Sequence, residues 1–369
     1  MRAVVLVGGE GTRLRPLTRT TPKQMLPVVE QPMIERVLAQ LGRHGIEEAV
    51  LSLGYRPDAF TRAYPEGRAS GVSLAYALES EPLDTAGAIR FAARHAGIDS
   101  TFLVVNGDVL TDLDIGALLS FHRRTGAAAT VTLTPVEDPS RFGVVDADHS
   151  GRVRSFVEKP EPGKAPSNLA NAGTYVLEPG VLDLIPGTGR SSVERDTFPR
   201  LASLGSLYSF PSDCYWLDAG TPESYLRAHL DLMSGARGLP PAPGAIEVAP
   251  GVWSAGEVRI DGEVSAGSFL GAGAVVEAGA KVVRSAIGAG ARVAGGGSVE
   301  ASVLLAGSRV EPGALVKGSV LGYGSAVEQD AVVECTSIVG DGATVPAGAH
   351  LEGSRLEGPL PGAQAAPCA

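Results

Sequence analysis

A chain of 369 residues exceeds what one hydrophobic core serves, so two domains of unequal size are expected. Its 44% hydrophobic and 20% charged content is that of an ordinary globular protein, and a net charge of −10 leaves no broad basic face, which argues against a general nucleic-acid or anionic-membrane binder. Cys214, Cys335 and Cys368 lie far apart with no CxxC spacing, and none of the six His stands at a telling distance from them, so a disulfide framework, a zinc knuckle and a catalytic thiol are all disfavoured.

Met1 leads into the apolar run AVVLV, which Gly8 ends. The run is a strand, too short for a signal peptide or a membrane span, and a cytoplasmic protein is expected. A helical stretch over 30–43, the strand AVLSLGY, a helix after Pro57, the strand TFLVVNGD and a helix over 114–124 follow in turn. Such alternation predicts a Rossmann-like, mostly parallel sheet with helices on both faces over residues 1–234. Ligands of such sheets bind at the carboxyl ends of strands, so the residues after AVVLV and TFLVV are where chemistry is sought.

Residues 235–245 are rich in Gly and Pro and read as a linker. Beyond it, apolar residues recur at Ile246, Val252, Val258, Val264, Leu270, Val276 and Val282, a step of six filled with small residues. Three flat sides with one inward residue each make coils of about 18 residues. Ser285, Ser302, Ser319, Ser337 and Ser354 open similar phrases at nearly that spacing. A left-handed parallel β-helix of hexapeptide repeats is therefore expected over 246–358, followed by a flexible tail over 359–369. Its flat faces suit a homo-oligomer.

The turn after AVVLV reads Gly8-Gly9-Glu10-Gly11-Thr12-Arg13-Leu14-Arg15, with Pro22-Lys23 close behind. Three glycines in four residues let backbone N–H groups approach a phosphate chain. Arg2, Arg13, Arg15, Arg19 and Lys23 against Glu10 make segment 1–25 a cationic island suited to a triphosphate. The turn lacks the Gly-Lys-Ser/Thr ending of a Walker A loop, and Leu14 stands where a dinucleotide fingerprint needs Gly. Asp108 ends TFLVV in an Asn-Gly-Asp triplet, and Asp218 lies in a second glycine-flanked run, WLDAGTP; either is a hard oxygen ligand suited to Mg²⁺.

GGxGTRLRPLT followed by TPK resembles the signature of the sugar-phosphate nucleotidyltransferases, and later motifs keep that family's order. The resemblance implies that a nucleoside triphosphate and a sugar 1-phosphate condense to an NDP-sugar and pyrophosphate. It places Leu6, Gly8, Gly9, Gly11 and Thr12 at the nucleotide, with Arg13 and Lys23 on its phosphates, and has Asp108 and Asp218 share Mg²⁺. Phe156-Val157-Glu158-Lys159-Pro160 matches the FVEKP motif, with Lys159 on the sugar phosphate and Glu158 on sugar hydroxyls; Gly143, Asn171 and Gly173 fall beside the sugar. Leu83-Asp84-Thr85-Ala86-Gly87 resembles the base-binding loop and implicates Thr85 and Gly87, with Asp84 where the family carries Gly. Glu79 is suited to accept from guanine's edge, Glu81 being the fallback.

The NGD triplet, the LxTAG loop, SVERDTFP and GTPESY most resemble the mannose-1-phosphate guanylyltransferase branch, which implies GTP and mannose 1-phosphate. KQMLPV leans instead toward glucose-1-phosphate thymidylyltransferases, so a thymidylyl or uridylyl transfer is the alternative. A non-catalytic sugar-nucleotide-binding subunit is a second class, opposed by the intact Arg13, Lys23, Asp108, Lys159 and Asp218. Acyl transfer in the β-helix is a third, for which His350 is the sole histidine in 246–358.

Overall fold

In the computed structural model the described residues are 1–235 and 240–359. Residues 236–239 of the expected linker and 360–369 of the expected tail, with Cys368, lie outside them. By packing the chain divides into two compact units, Met1–Gly9 with Met33–Asp218, and Glu10–Pro32 with residues 219 onward. Packing thus groups segment 10–32 and helix Pro222–Met233 with the C-terminal half, a division that the sequence pattern at 234 does not follow.

The first unit is built on a ten-stranded mixed sheet. Its centre is parallel: Phe102–Asn106, Arg2–Leu6, Glu48–Leu53 and Val72–Leu78 lie side by side, with Leu6 in register with both Ser52 and Asn106. Val4, Val50 and Val104 have no exposed surface, as expected of strands covered on both faces. Helix Asp84–His95 supplies Ala86, Ile89, Ala92 and Ala93 to the core beside them. Beyond Phe102–Asn106 the sheet turns antiparallel through Leu169–Leu177, Gly143–Ala147 and Val153–Glu158. Helix Ile115–Thr125 starts where the Asp114 carboxylate accepts the Ala117 N–H at 2.9 Å and stops at Gly126, whose φ is 62°.

In the second unit, strands from Ile246 to Leu356 stack into three sheets of eight, six and six strands. Every pairing from Val252 onward is parallel, as in a β-helix. The interior file runs Leu270, Val276, Val282, Ile287, Val293, Val299, Leu304, Val310, Val316 and Leu321, a step of six, six and five. One short side makes the coil 17 residues, as in Ala286↔Val303 and Val303↔Val320, while Val320↔Ile338 spans 18. At the corner closing the short side one residue takes left-handed backbone, Arg284 (φ 45°), Ala301 (φ 45°) or Gly318 (φ 53°), and in the 18-residue coil two do, Cys335 (φ 58°) and Thr336 (φ 62°). The corner serines form a spine: the Ser285 hydroxyl accepts the Ser302 N–H at 3.1 Å, and Ser302 in turn accepts that of Ser319 at 3.1 Å.

Ile246 departs from the expected inward file. Its strand Ile246–Ala249 runs antiparallel to Val252–Ala255 as an outer cap, and Ile246 is 59% exposed because no preceding coil covers it. Among the described residues no helix is long and apolar enough to cross a membrane.

Candidate active site

Three parallel strands deliver their carboxyl ends to one edge of the first unit. After Leu6, the Gly8 carbonyl accepts the Tyr55 N–H at 3.3 Å, and a side chain on Gly54 would lie 3.0 Å from that oxygen. A Cβ on Gly8 would meet Glu79 Oε1 at 3.3 Å, so the glycines here are demanded by neighbouring strand ends. Gly9 has open space around its α-carbon, which leaves its backbone accessible. The Gly107 N–H donates to the Leu6 carbonyl at 3.0 Å, tying the NGD triplet to the same edge.

Asp108 and Asp218 are brought together by backbone pairing. Trp216–Asp218 runs antiparallel to Val109–Thr111, and Asp218 is in register with Val109, the residue after Asp108. Opposed residues of such a pair have Cα atoms about 4.5–5.5 Å apart. Carboxylates 110 positions apart in sequence therefore leave adjoining points of one ribbon. Among the described residues no group of three His, Cys, Asp or Glu side chains could hold a metal alone. Two carboxylates completed by phosphate oxygens are, however, a donor set that suits Mg²⁺.

The FVEKP segment lies on the antiparallel side. Glu158 is in register with Gly143, and a Cβ there would sit 2.8 Å from Glu158 Oε2 and 2.6 Å from the Phe156 ring, so Gly143 makes room for both. Burial and then the nearby Glu194 push the Glu158 carboxyl up, while Lys159 and Arg195 pull it down. Lys159 adopts left-handed backbone (φ 47°), its N–H donates to Phe142 O at 3.0 Å, and its exposed ammonium lies 3.8 Å from Glu158 Oε1. Asn171 accepts the Gly173 N–H at 3.0 Å and donates to the Tyr175 hydroxyl at 2.9 Å, which leaves its amide one N–H and one lone pair for a hydroxyl ligand. Gly173 is required twice over: its φ is 74°, and a Cβ would lie 2.5 Å from the Asn106 amide nitrogen.

The expected base loop is stitched to the segment after Arg190. The Thr85 hydroxyl donates to Glu194 at 2.7 Å and accepts the Val193 N–H at 2.8 Å, and the Ala86 and Gly87 N–H groups both donate to Ser191 O. Thr85 and Gly87 thus shape the loop through their contacts to Ser191, Val193 and Glu194. Glu79 accepts the Ser52 hydroxyl at 2.8 Å and the Leu83 N–H at 3.3 Å and keeps further lone pairs; Glu81 is exposed. Asp84 adopts φ 59°, the region glycine tolerates best, and its carboxylate accepts the Thr85 N–H at 2.8 Å. Glu194, which links Thr85, Ser192 and the surroundings of Glu158, was not singled out from sequence; the Ser-Ser-x-Glu-x-Asp spacing of a side-chain-capped turn was its one signal.

In the second unit the signature segment folds into short turns Thr12–Leu14, Leu17–Arg19 and Lys23–Met25. Gly11 is left-handed (φ 63°), and a Cβ would lie 2.9 Å from that of Lys23; the Thr18 hydroxyl closes the turn on Gly11 O at 2.8 Å. Leu14 and Leu17 are buried, Lys23 is 9% exposed, and Thr12 and Arg13 face solvent. The cationic island is smaller than the sequence implies. Arg2 sits at the opposite end of its strand and donates to Ala96 O and Gly97 O at the end of helix Asp84–His95. Arg15 pairs with Glu10 at 2.9 Å and Arg19 with Glu357 at 2.7 Å.

The β-helix offers little for acyl transfer. Exposed His350 pairs with Glu334 at 2.8 Å, and burial with Glu334 and Glu352 pushes the Cys335 thiol up.

The Nucleotidyl transferase family pattern matches residues 2–235, and the GMPPB C-terminal domain pattern matches 264–359. A mannose-1-phosphate guanylyltransferase of Mycobacterium tuberculosis is 41% identical over 282 residues, covering 76% of each chain. A mannose-1-phosphate guanyltransferase of Yarrowia lipolytica is 40% identical over 229 residues, 61% of this chain and 62% of that one, so the match spans less than two thirds of the yeast protein. Among solved structures, HddC from Yersinia pseudotuberculosis complexed with GMP-PN superposes with a TM-score of 0.54 at 30% identity, covering 62% of this chain and 97% of that one. By these matches the chain belongs to the nucleotidyl transferase family, and its reaction is nucleotidyl transfer to a sugar 1-phosphate.

Proposed function

We propose that the chain condenses GTP with mannose 1-phosphate to GDP-mannose and pyrophosphate. The observation that carries this reading is the ribbon that sets Asp218 opposite Val109, beside Asp108, at the strand edge where Gly8 and Gly9 leave the sheet. The choice of GTP and mannose rests on the activities named for the mycobacterial and yeast relatives.

A phosphate oxygen of the sugar 1-phosphate attacks the α-phosphorus of the nucleotide; one P–O bond forms there, and the α–β P–O bond breaks with its electron pair leaving on pyrophosphate. The attacking phosphate is ionised at neutral pH, its second pKa being about 6, so no side chain has to remove a proton. The barrier is the approach of two polyanions, and orientation with fixed cations lowers it. Arg13 and Lys23 neutralise the nucleotide phosphates, and Lys159 neutralises the sugar phosphate. Glu158 and the remaining donor and acceptor of Asn171 hold the sugar hydroxyls. Asp108 and Asp218 would hold Mg²⁺, which when bound supplies positive charge at the phosphates. A cytoplasmic setting and self-association through the β-helix complete the reading; exposed Ile246, Val248 and Ile260 are the apolar groups available for such contact.

The test is a grid of nucleoside triphosphates against sugar 1-phosphates, read by mass spectrometry. GDP-mannose is the expected dominant product; a dominant dTDP- or UDP-glucose would replace the substrate assignment, and an empty grid would leave the chain a binding subunit. Asp108→Asn should keep the circular dichroism of the parent and lose nearly all pyrophosphate release.

A further inference from the structure

The hairpin that ends the signature segment breaks the rules for its turn. Pro27–Val28 pairs with Gln31–Pro32, so the turn residues are Val29 and Glu30, both left-handed at φ 50° and 66°. Such turns favour Asn-Gly, and a β-branched residue there is a true outlier, which persists only where surroundings impose it. The surroundings are the β-helix and its neighbouring helix. The Val29 N–H donates to His229 Nδ1 at 3.2 Å, Glu30 accepts the Ala289 N–H at 2.8 Å, and a Cβ on Gly271 would lie 2.5 Å from the Glu30 carboxylate.

The other end of the segment is fastened in the same way. The Thr20 hydroxyl donates to Asp341, whose other oxygen accepts the Tyr323 N–H at 3.0 Å; Arg19 pairs with Glu357, and a Cβ on Gly340 would lie 3.1 Å from Pro16. Two β-helix glycines thus leave the space that Glu30 and Pro16 occupy. Dense packing does not explain the fit, because an open cavity of about 130 Å³ lies at the hairpin, lined by Val29, Glu30, Phe269 and Tyr323 among others.

We propose that the β-helix is a positioning element for phosphate binding: through Asp341, Glu357 and Ala289 it holds Thr20, Arg19 and Glu30, and with them the turn that carries Gly11, Arg13 and Lys23. Thr20 and Asp341 are its positioning residues, since they act through the loop and touch no substrate. The inference rests on the assignment of that turn to the nucleotide phosphates.

The experiment uses the full-length chain as Thr20→Val, Thr20→Ser, Asp341→Ala and the Thr20→Val/Asp341→Ala double variant. Each is followed by steady-state kinetics with GTP and mannose 1-phosphate and by amide hydrogen exchange of residues 12–25 without substrate. Loss of one hydrogen bond to a carboxylate should raise KM for the nucleotide roughly five- to tenfold. KM for the sugar phosphate should stay unchanged and exchange over 12–25 should quicken. Thr20→Ser should restore both, and the double variant should be no worse than its worse parent. Folded Thr20→Val with parental exchange, or with faster exchange and parental nucleotide KM, overturns the proposal. Should Asp341→Ala unfold, Glu30→Ala, which removes the acceptor of the Ala289 N–H, replaces it as a single variant under the same kinetic and exchange criteria. A parent chain without turnover on any nucleotide counts against the assigned reaction instead, and the exchange data then decide whether the latch exists.

Discussion

Both units hold non-glycine residues in left-handed backbone, but the β-helix does so periodically and the sheet unit does so at isolated points. Arg284, Ala301 and then Cys335 with Thr336 recur once per coil, each closing the side that ends in a buried serine. In the sheet unit Arg56, Ser70, Asp84 and Lys159 have no counterpart a fixed distance away; Asp84 opens the expected base loop and Lys159 is the expected phosphate-gripping lysine. Repeated strain of this kind is geometry, a requirement for turning three corners. Isolated strain has no such geometric requirement, and at Asp84 and Lys159 it keeps a side chain despite a backbone cost of about 1–2 kcal/mol.

That contrast can be broken by relieving strain in each unit. Lys159→Gly frees the backbone yet should cost the most, raising KM for mannose 1-phosphate and lowering kcat/KM by roughly 10²-fold or more, because a charge-assisted phosphate contact is lost; an activity within a few-fold of the parent would return Lys159 to the class of architectural corners. Gly173→Ala imposes strain where none exists and drives a methyl into Asn106, so thermal unfolding should report a loss of about 2 kcal/mol or more with diminished turnover.

Asp84 separates backbone from carboxylate. Asp84→Ala keeps the strained Cβ and loses the acceptor for the Thr85 N–H, whereas Asp84→Gly loses the acceptor and the strain together. Denaturant unfolding should rank Ala below Gly by about 1 kcal/mol. Ala301→Gly, at a periodic corner, should leave kinetics untouched and raise stability by about 1 kcal/mol or less.

A pH series sharpens the site half of the contrast. Burial and Glu194 raise the Glu158 carboxyl above its ordinary value, so the folded state takes up a proton there more readily than the unfolded chain. The stability this brings is full below the ordinary carboxylate pKa and is lost as pH rises through the raised value. Glu158→Gln should therefore gain thermal stability over the parent as pH climbs from the acid range to neutrality; a constant difference across that range would show that Glu158 ionises as it does in the unfolded chain.

Much of this was legible because it is local in sequence. Val4 and Val50 sit in buried runs too apolar for an edge, the helix over 115–125 announces itself by Asp114 and Gly126, and the six-residue step betrays the solenoid. What escaped is non-local. Nothing in the run 129–135 says that it pairs with both Leu169–Leu177 and Leu207–Pro211, so the antiparallel half of the sheet went unread. The island of positive charge looked larger than it is because the acceptors Ala96 and Glu357 lie far along the chain from Arg2 and Arg19. Thr85 and Gly87 were identified by motif, yet what their polar groups touch depended on Ser191, Val193 and Glu194.

The coil of 17 residues gives the solenoid something like a reading frame. Whole turns could be gained or lost with every valine still pointing inward and every serine still meeting the one above it. A single inserted residue would instead carry all following side chains from interior to surface, except at a corner able to take up the slack. The double left-handed corner at Cys335 and Thr336 is such a place, where one extra residue has been absorbed and the frame resumes at Ile338.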